Sequence, residues 1–197
     1  MLKLKITGIG NVKNYLEKMI QHGSKYKVEK VDFDNRNLNK IKSTEILLVV
    51  FDGIFLSPFN EKLSLLSKVR YVPIFYFSNN FYVMGINNPE HNNTFICPNC
   101  ILKNTINDYF KLNLYNQLFE NNFVDPVEYI PLKELSNFTN VLLSAIENSL
   151  LEGKLLYYVV PSNFYKLKSY KGFSKCDYCD ENIYGTDKLI NELRELL

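Results

Sequence analysis

The sequence is poor in most features that would announce a function. No apolar run reaches the roughly 20 residues of a membrane-spanning helix, and the longest, "EILLVVFDGIFL", is broken by Asp52 and Gly53. The opening "MLKLKITGIG" alternates apolar and polar residues and has no continuous secretory-signal core. No membrane association is therefore expected, and the cytoplasm is the expected compartment. Net charge is also scarce: 23 Lys and Arg against 21 Asp and Glu leave +2. The basic residues are spread among acidic ones, which argues against a nucleic-acid partner. Histidine occurs only at His22 and His91, both expected at the surface, and no Ser/His/Asp set or acidic pair has catalytic spacing.

Cysteine is scarce in an informative way. The four present form two Cys-x-x-Cys pairs, Cys97 with Cys100 and Cys176 with Cys179, and no others occur. In a reducing compartment such thiols point to metal ligation or redox chemistry rather than to a structural disulfide. Two knuckles can bring four thiolates around one tetrahedral Zn2+ and leave no open position, which makes a structural site and not a catalytic one. An iron–sulfur cluster uses the same ligands. A thioredoxin-like redox pair would follow a strand and open a helix, whereas Cys97 follows a polar loop and Cys176 follows an expected hairpin.

At 197 residues the chain is long enough to bury one sizeable core. Its aromatic content rests on 14 Tyr and 14 Phe. The first 86 residues alternate strand and helix. "KLKITGIG" reads as a strand, and "NVKNYLEKMIQHG" as a helix on the spacing of Val12, Tyr15, Leu16, Met19 and Ile20. "KYKVEKVDF" is a strand and "DNRNLNK" a polar loop. "EILLVVFD" has the unbroken apolar character of a parallel strand covered on both faces. "SPFNEKLSLLSKV" reads as a helix with a Ser cap and Pro in its first turn. "VPIFYFS" and "FYVMGI" read as strands joined at "NN". The pattern is that of a small doubly wound α/β unit.

From residue 87 the character changes. The span 87–185 holds both cysteine pairs, a long helix over "LKELSNFTNVLLSAIENSLLEG" ended by Gly153, and a hairpin formed by "KLLYYVVP" and "NFYKLKSYKGF". Residues 186–197 form a closing amphipathic helix. The whole, 1–197, is expected to be a single domain.

Two positions in the α/β unit look like nucleotide chemistry. Gly8 and Gly10 in "TGIGNVKN" would allow a tight turn and a close approach of phosphate to a helix N-terminus. The third position of a full G-x-G-x-x-G is Lys13, so the match is partial. Asp32, at the end of the second strand, stands where a Rossmann-like site holds a ribose hydroxyl. The alternative is that the glycines serve helix–sheet packing and Asp32 is a solvated strand end.

These features together resemble the ThiF-like fold of ubiquitin-activating and sulfur-carrier adenylating enzymes. The words that carry the resemblance are "GIGN", then "VDFDNRNLNK" with Asp32, Asp34, Asn37, Leu38 and Asn39, then Asp52 after an apolar strand, then the two cysteine pairs. The second pair, after a hairpin near the C-terminus, is most similar to ThiF-like proteins of bacteriocin and thiopeptide clusters. These act beside YcaO enzymes that turn Cys, Ser or Thr side chains into azolines.

The resemblance implies a truncated Rossmann-like sheet with a C-terminal portion stapled by Zn2+ on Cys97, Cys100, Cys176 and Cys179. It also implies a degenerate nucleotide site at Gly8, Gly10, Asp32 and Asp52. The arginine expected after "NLN" is Lys40, which lacks the planar fork. The stretch between that motif and the Asp52 strand is nearly gone, and no cysteine is left for a thioester. The expected function is a non-catalytic scaffold that presents a precursor peptide to a YcaO-type cyclodehydratase. An azoline dehydrogenase and a second copy of the chain are further candidate partners. The winged-helix module that grips the leader peptide in many such proteins is not expected here. The alternatives are an ATP-dependent adenylating enzyme and a zinc-ribbon module for nucleic acid.

Overall fold

The computed structural model describes residues 3–23, 26–53, 56–66, 68–88 and 130–169. Its centre is β3 (Glu45–Asp52), the unbroken apolar run, in which every residue is buried. β1 (Lys3–Ile9) and β4 (Arg70–Phe77) flank it in parallel, and β2 (Lys27–Lys30) lies parallel outside β1. Beyond β4 the direction alternates. β5 (Asn80–Val83), β6 (Lys154–Val159) and β7 (Phe164–Ser169) add antiparallel strands. Among the described residues the order is β2-β1-β3-β4-β5-β6-β7 in one sheet. The hairpin expected in the second half thus continues the sheet of the first.

Successive side chains on a strand point to opposite faces, and the core divides accordingly. One face carries Leu4, Ile6, Ile46, Leu48, Val50, Val72 and Ile74, covered by α1 (Val12–Gly23) through Val12, Leu16 and Ile20. The same face, further along, receives α5 (Leu132–Glu147) through Leu135, Phe138 and Leu142. The other face carries Leu47, Val49, Phe51, Tyr71 and Phe75. It is covered by α2 (Asn35–Leu38), α3 (Leu56–Glu61) and α4 (Leu63–Leu66) through Leu38, Phe59, Leu63 and Leu66.

Local structure departs from the sequence expectations at four places. "DNRNLNK" is not wholly loop: Asp34 accepts a hydrogen bond from the Asn37 amide at 2.8 Å and caps the short α2. The single helix expected from Ser57 is two short helices, and α3 already includes Leu56, so Ser57 stands inside the first turn and not ahead of it. The β4–β5 turn is Ser78–Asn79, both at positive φ (50° and 59°), a two-residue hairpin turn whose twist matches the strands. The long helix ends at Glu147, before Gly153, and Ser149 takes the left-handed conformation just beyond it.

Among the described residues no helix is long and apolar enough to cross a membrane.

Candidate functional site

β1 has β2 on one side and β3 on the other, so the chain order reverses across β1. The crevice beyond the carboxyl ends of β1 and β3 is where open α/β sheets bind ligands. Gly8 and Gly10 lie there, at φ +127° and +104°. Gly8 pairs with Val50 and Ile9 with Phe51, so Asp52 emerges beside Gly10. A Cβ on Gly8 would overlap the Val50 carbonyl, and one on Gly10 would overlap the Asp52 carboxylate. The close approach that these glycines permit is an approach to β3.

The first turn of α1 leaves amide donors without partners inside the helix. The Asn11 amide donates to Oδ2 of Asp52, and the Val12 amide donates to Oδ1 at 2.9 Å. Further along the turn, the amides of Asn14 and Tyr15 donate to the Asn11 carbonyl at 2.9 and 3.1 Å. Lys13, the residue at the absent third glycine, folds its ammonium back onto the Gly8 carbonyl at 2.6 Å. The turn that would cradle a phosphate is thus filled by a carboxylate from β3 and covered by a lysine.

Electrostatics follow from burial. Burial pushes the Asp52 carboxyl above the usual carboxylate range, against the two amide hydrogen bonds and the Lys13 charge. Burial also lowers the Lys13 ammonium, helped by Lys30 and opposed by Asp32 and Asp52. Lys13 is therefore the charge that links the two aspartates singled out in the sequence.

Asp32 itself is exposed and lies two residues beyond β2, which ends at Lys30 and not at Asp32 as expected. Asp34 is held below the carboxylate range, chiefly by the Asn37 backbone amide, and Asn37 also donates its side-chain amide to it at 3.0 Å. Leu38 is buried in the core, and Asn39 and Lys40 are exposed.

The structure brings Gly8, Gly10 and Asp52 into contact and sets Asp32 at their margin. Lys13 and Asn11 were not among the expected site residues. Their signal was present in the order Gly-Asn-Val-Lys, which places a lysine on the first turn. Cys97, Cys100, Cys176 and Cys179 lie outside the described residues. Among those described, no group of three or more His, Cys, Asp and Glu is placed to hold a metal.

A parallel sheet with helices on both faces, a glycine turn after β1, an acidic residue closing β3 and an antiparallel extension make up a Rossmann-like α/β fold. The same fold is found in a chain of the E. coli microcin synthetase McbBCD complex, with TM-score 0.64 and 11% identity over 89% of this chain and 67% of that one. It recurs in a heterocyclase solved with substrate and cofactor (TM-score 0.55, 13% identity), of which this chain spans 25%. E. coli MccB shares it at TM-score 0.51 and 12% identity over 90% of this chain and 65% of that one. No family model matches the chain, and no curated protein matches it by sequence.

Proposed function

We propose that this chain is a non-catalytic partner subunit of a YcaO-type cyclodehydratase, acting in azoline formation on a ribosomal precursor peptide. The observation that carries the reading is the Asp52 carboxylate on the first turn of α1. Two of the amide donors that would hold a nucleotide phosphate, those of Asn11 and Val12, are already bonded to it, which counts against an adenylating role. The partner role draws support from the fold shared with a microcin synthetase chain, also solved with pro-MccB17 bound (TM-score 0.63, 10% identity, 90% of this chain and 70% of that one).

On this reading, chemistry and ATP use belong to the cyclodehydratase. The chain contributes by raising effective concentration and by positioning the peptide. An azoline dehydrogenase and a second copy of the chain are candidate members of the same assembly.

A structural Zn2+ on Cys97, Cys100, Cys176 and Cys179 belongs to the proposal, since four thiolates suit a closed tetrahedral site. One geometric fact favours it. Asn87 pairs with Tyr71 near the start of β4, and Ser169 pairs with Lys154 at the start of β6. The chain therefore leads on towards both cysteine pairs from the same end of the sheet, opposite the glycine turn. Cys97 is nine residues beyond Asn88, and Cys176 is seven beyond Ser169. A chain spans at most about 3.3–3.6 Å per residue, so segments of that length are long enough to meet at one ion.

The test is reconstitution of azoline formation with the cognate cyclodehydratase. Omitting this chain should abolish or strongly reduce the product, and the two proteins should copurify. Full azoline formation without the chain removes the reading. ATP–pyrophosphate exchange by the isolated chain would favour the adenylating alternative instead.

A further inference from the structure

The contact between Asp52 and α1 has the features of a bound anion more than of a chance side-chain contact. The two carboxylate oxygens are divided between two amides, one each. The side chain belongs to a residue only 3% exposed. α1 has no acidic residue in its own first turn, so the negative group that a helix N-terminus favours is supplied by β3. Gly10 provides the room, since a Cβ there would overlap the carboxylate. A cation completes the arrangement: the half-buried Lys13 ammonium is drawn by the Asp52 charge and anchored on the Gly8 carbonyl.

We infer that Asp52 is the internal occupant of an oxyanion site at the start of α1, and that this one carboxylate keeps the site closed to phosphate and other small oxyanions. The inference rests on the reading of the chain as a subunit that handles no nucleotide, and it adds how the fold enforces that. Donors, cation and glycine turn are all in place, and a single side chain from the neighbouring strand fills them. Removing the carboxylate leaves a space of its own size, lined by the amides of Asn11 and Val12.

The experiment uses the full chain, wild type and Asp52→Ala. Each is titrated calorimetrically with inorganic phosphate and with formate, against chloride at equal ionic strength. Formate matches the lost group in size, and phosphate matches the ligand type that the turn resembles. Wild type should take up neither. The variant should bind at least one of them at least about tenfold more tightly than wild type, a difference of about 1.4 kcal/mol.

Should Asp52→Ala fold poorly, Asp52→Ser carries the same test, because its hydroxyl can satisfy only one of the two amides. A third readout needs no variant: the Asn11 and Val12 amide resonances of wild type should not move when phosphate is added. No gain of binding in the folded variants, or movement of those resonances in wild type, overturns the inference. Failure of the partner reading is distinguishable, because it appears as azoline formation without this chain and leaves the titrations unaffected.

Discussion

The parallel and antiparallel halves of the sheet solve the same problem with different chemistry. At the carboxyl ends of β1 and β3, a parallel connection turns the amides of a helix start towards the crevice, where a buried aspartate accepts from two of them and a lysine donates to the Gly8 carbonyl. At the same end of the antiparallel half, the turns are closed by neutral groups. Tyr76 donates to Asn79 at 3.0 Å and Tyr157 to Asn80 at 3.1 Å. Tyr158 and Asn137 both donate to Asn163, at 2.8 and 3.1 Å.

The difference follows from connectivity. A hairpin turn can satisfy its own polar groups, whereas a strand-to-helix turn presents several donors in one direction and so attracts an anion. In this chain that anion is part of the protein, and the Asp52 carboxylate joins the end of β3 to the start of α1.

The largest effect expected within this comparison comes from Gly8→Ala. The added Cβ meets the backbone carbonyl of Val50, which cannot rotate aside, at a φ that L side chains avoid. Loss of stability beyond about 4 kcal/mol, or failure to fold, is expected. Urea unfolding is the measurement, and a cost under about 1 kcal/mol would show that β1 and β3 are not locked at this register.

The corresponding break in the antiparallel half is Phe138→Ala. Phe138 stacks on Phe81 with centroids 3.7 Å apart and meets Tyr158 edge-on at 5.2 Å. Truncating a fully buried phenylalanine costs about 3–5 kcal/mol. Because Phe138 helps to seat α5 on β5 and β6, amide exchange should rise in these elements first and leave β1 and β3 protected longer.

Smaller and more discriminating is the pair Asp52→Ala and Asn163→Gly. The first leaves the buried Val12 amide unpaired and should cost about 1–3 kcal/mol. The second keeps the positive φ of 52° accessible and loses neutral hydrogen bonds worth about 1 kcal/mol. Added salt should change the first cost and leave the second unaltered, because only the first removes a charge. Equal salt dependence in both would erase the distinction between a charged joint and a neutral one.

How far the sequence displayed this contrast depends on the range of the interactions involved. β1, β3, β4 and α1 were legible because burial on one or both faces writes itself into local apolar spacing. The glycine turn was legible as a turn, and Asp52 as the acidic end of a strand. The use of Asp52 was not legible. It requires the register Gly8 to Val50, a pairing between residues about forty positions apart that no local pattern encodes. The continuation of the sheet through β5 into β6 was hidden for the same reason. α2 was read as loop because four residues show no helical period, although Asp34 three before Asn37 is a cap signal. The expectation that Gly153 ends α5 failed because Ser149 takes the left-handed position earlier, at a place where glycine is favoured but not required.

The smallest effect is on pH dependence, where two aspartates of the parallel half should act in opposite senses. Both start from an unfolded value near 3.8. Burial raises Asp52 in the folded chain, so between 3.8 and its folded value the native state binds more protons than the unfolded one. Its contribution is therefore fully present below 3.8 and is lost as pH rises through the folded value. Asp34 is lowered by the Asn37 amide, so its contribution is present above 3.8 and is lost as pH falls through its folded value. Acidifying from neutral should first relieve the charged burial at Asp52, and only at lower pH remove the α2 cap. Subtracting the stability curve of Asp52→Asn from that of wild type isolates the first window, and Asp34→Asn isolates the second. A slope of the same sign in both difference curves would mean that burial does not dominate at Asp52, and that its carboxylate is stabilised at the helix start as strongly as an added phosphate would be.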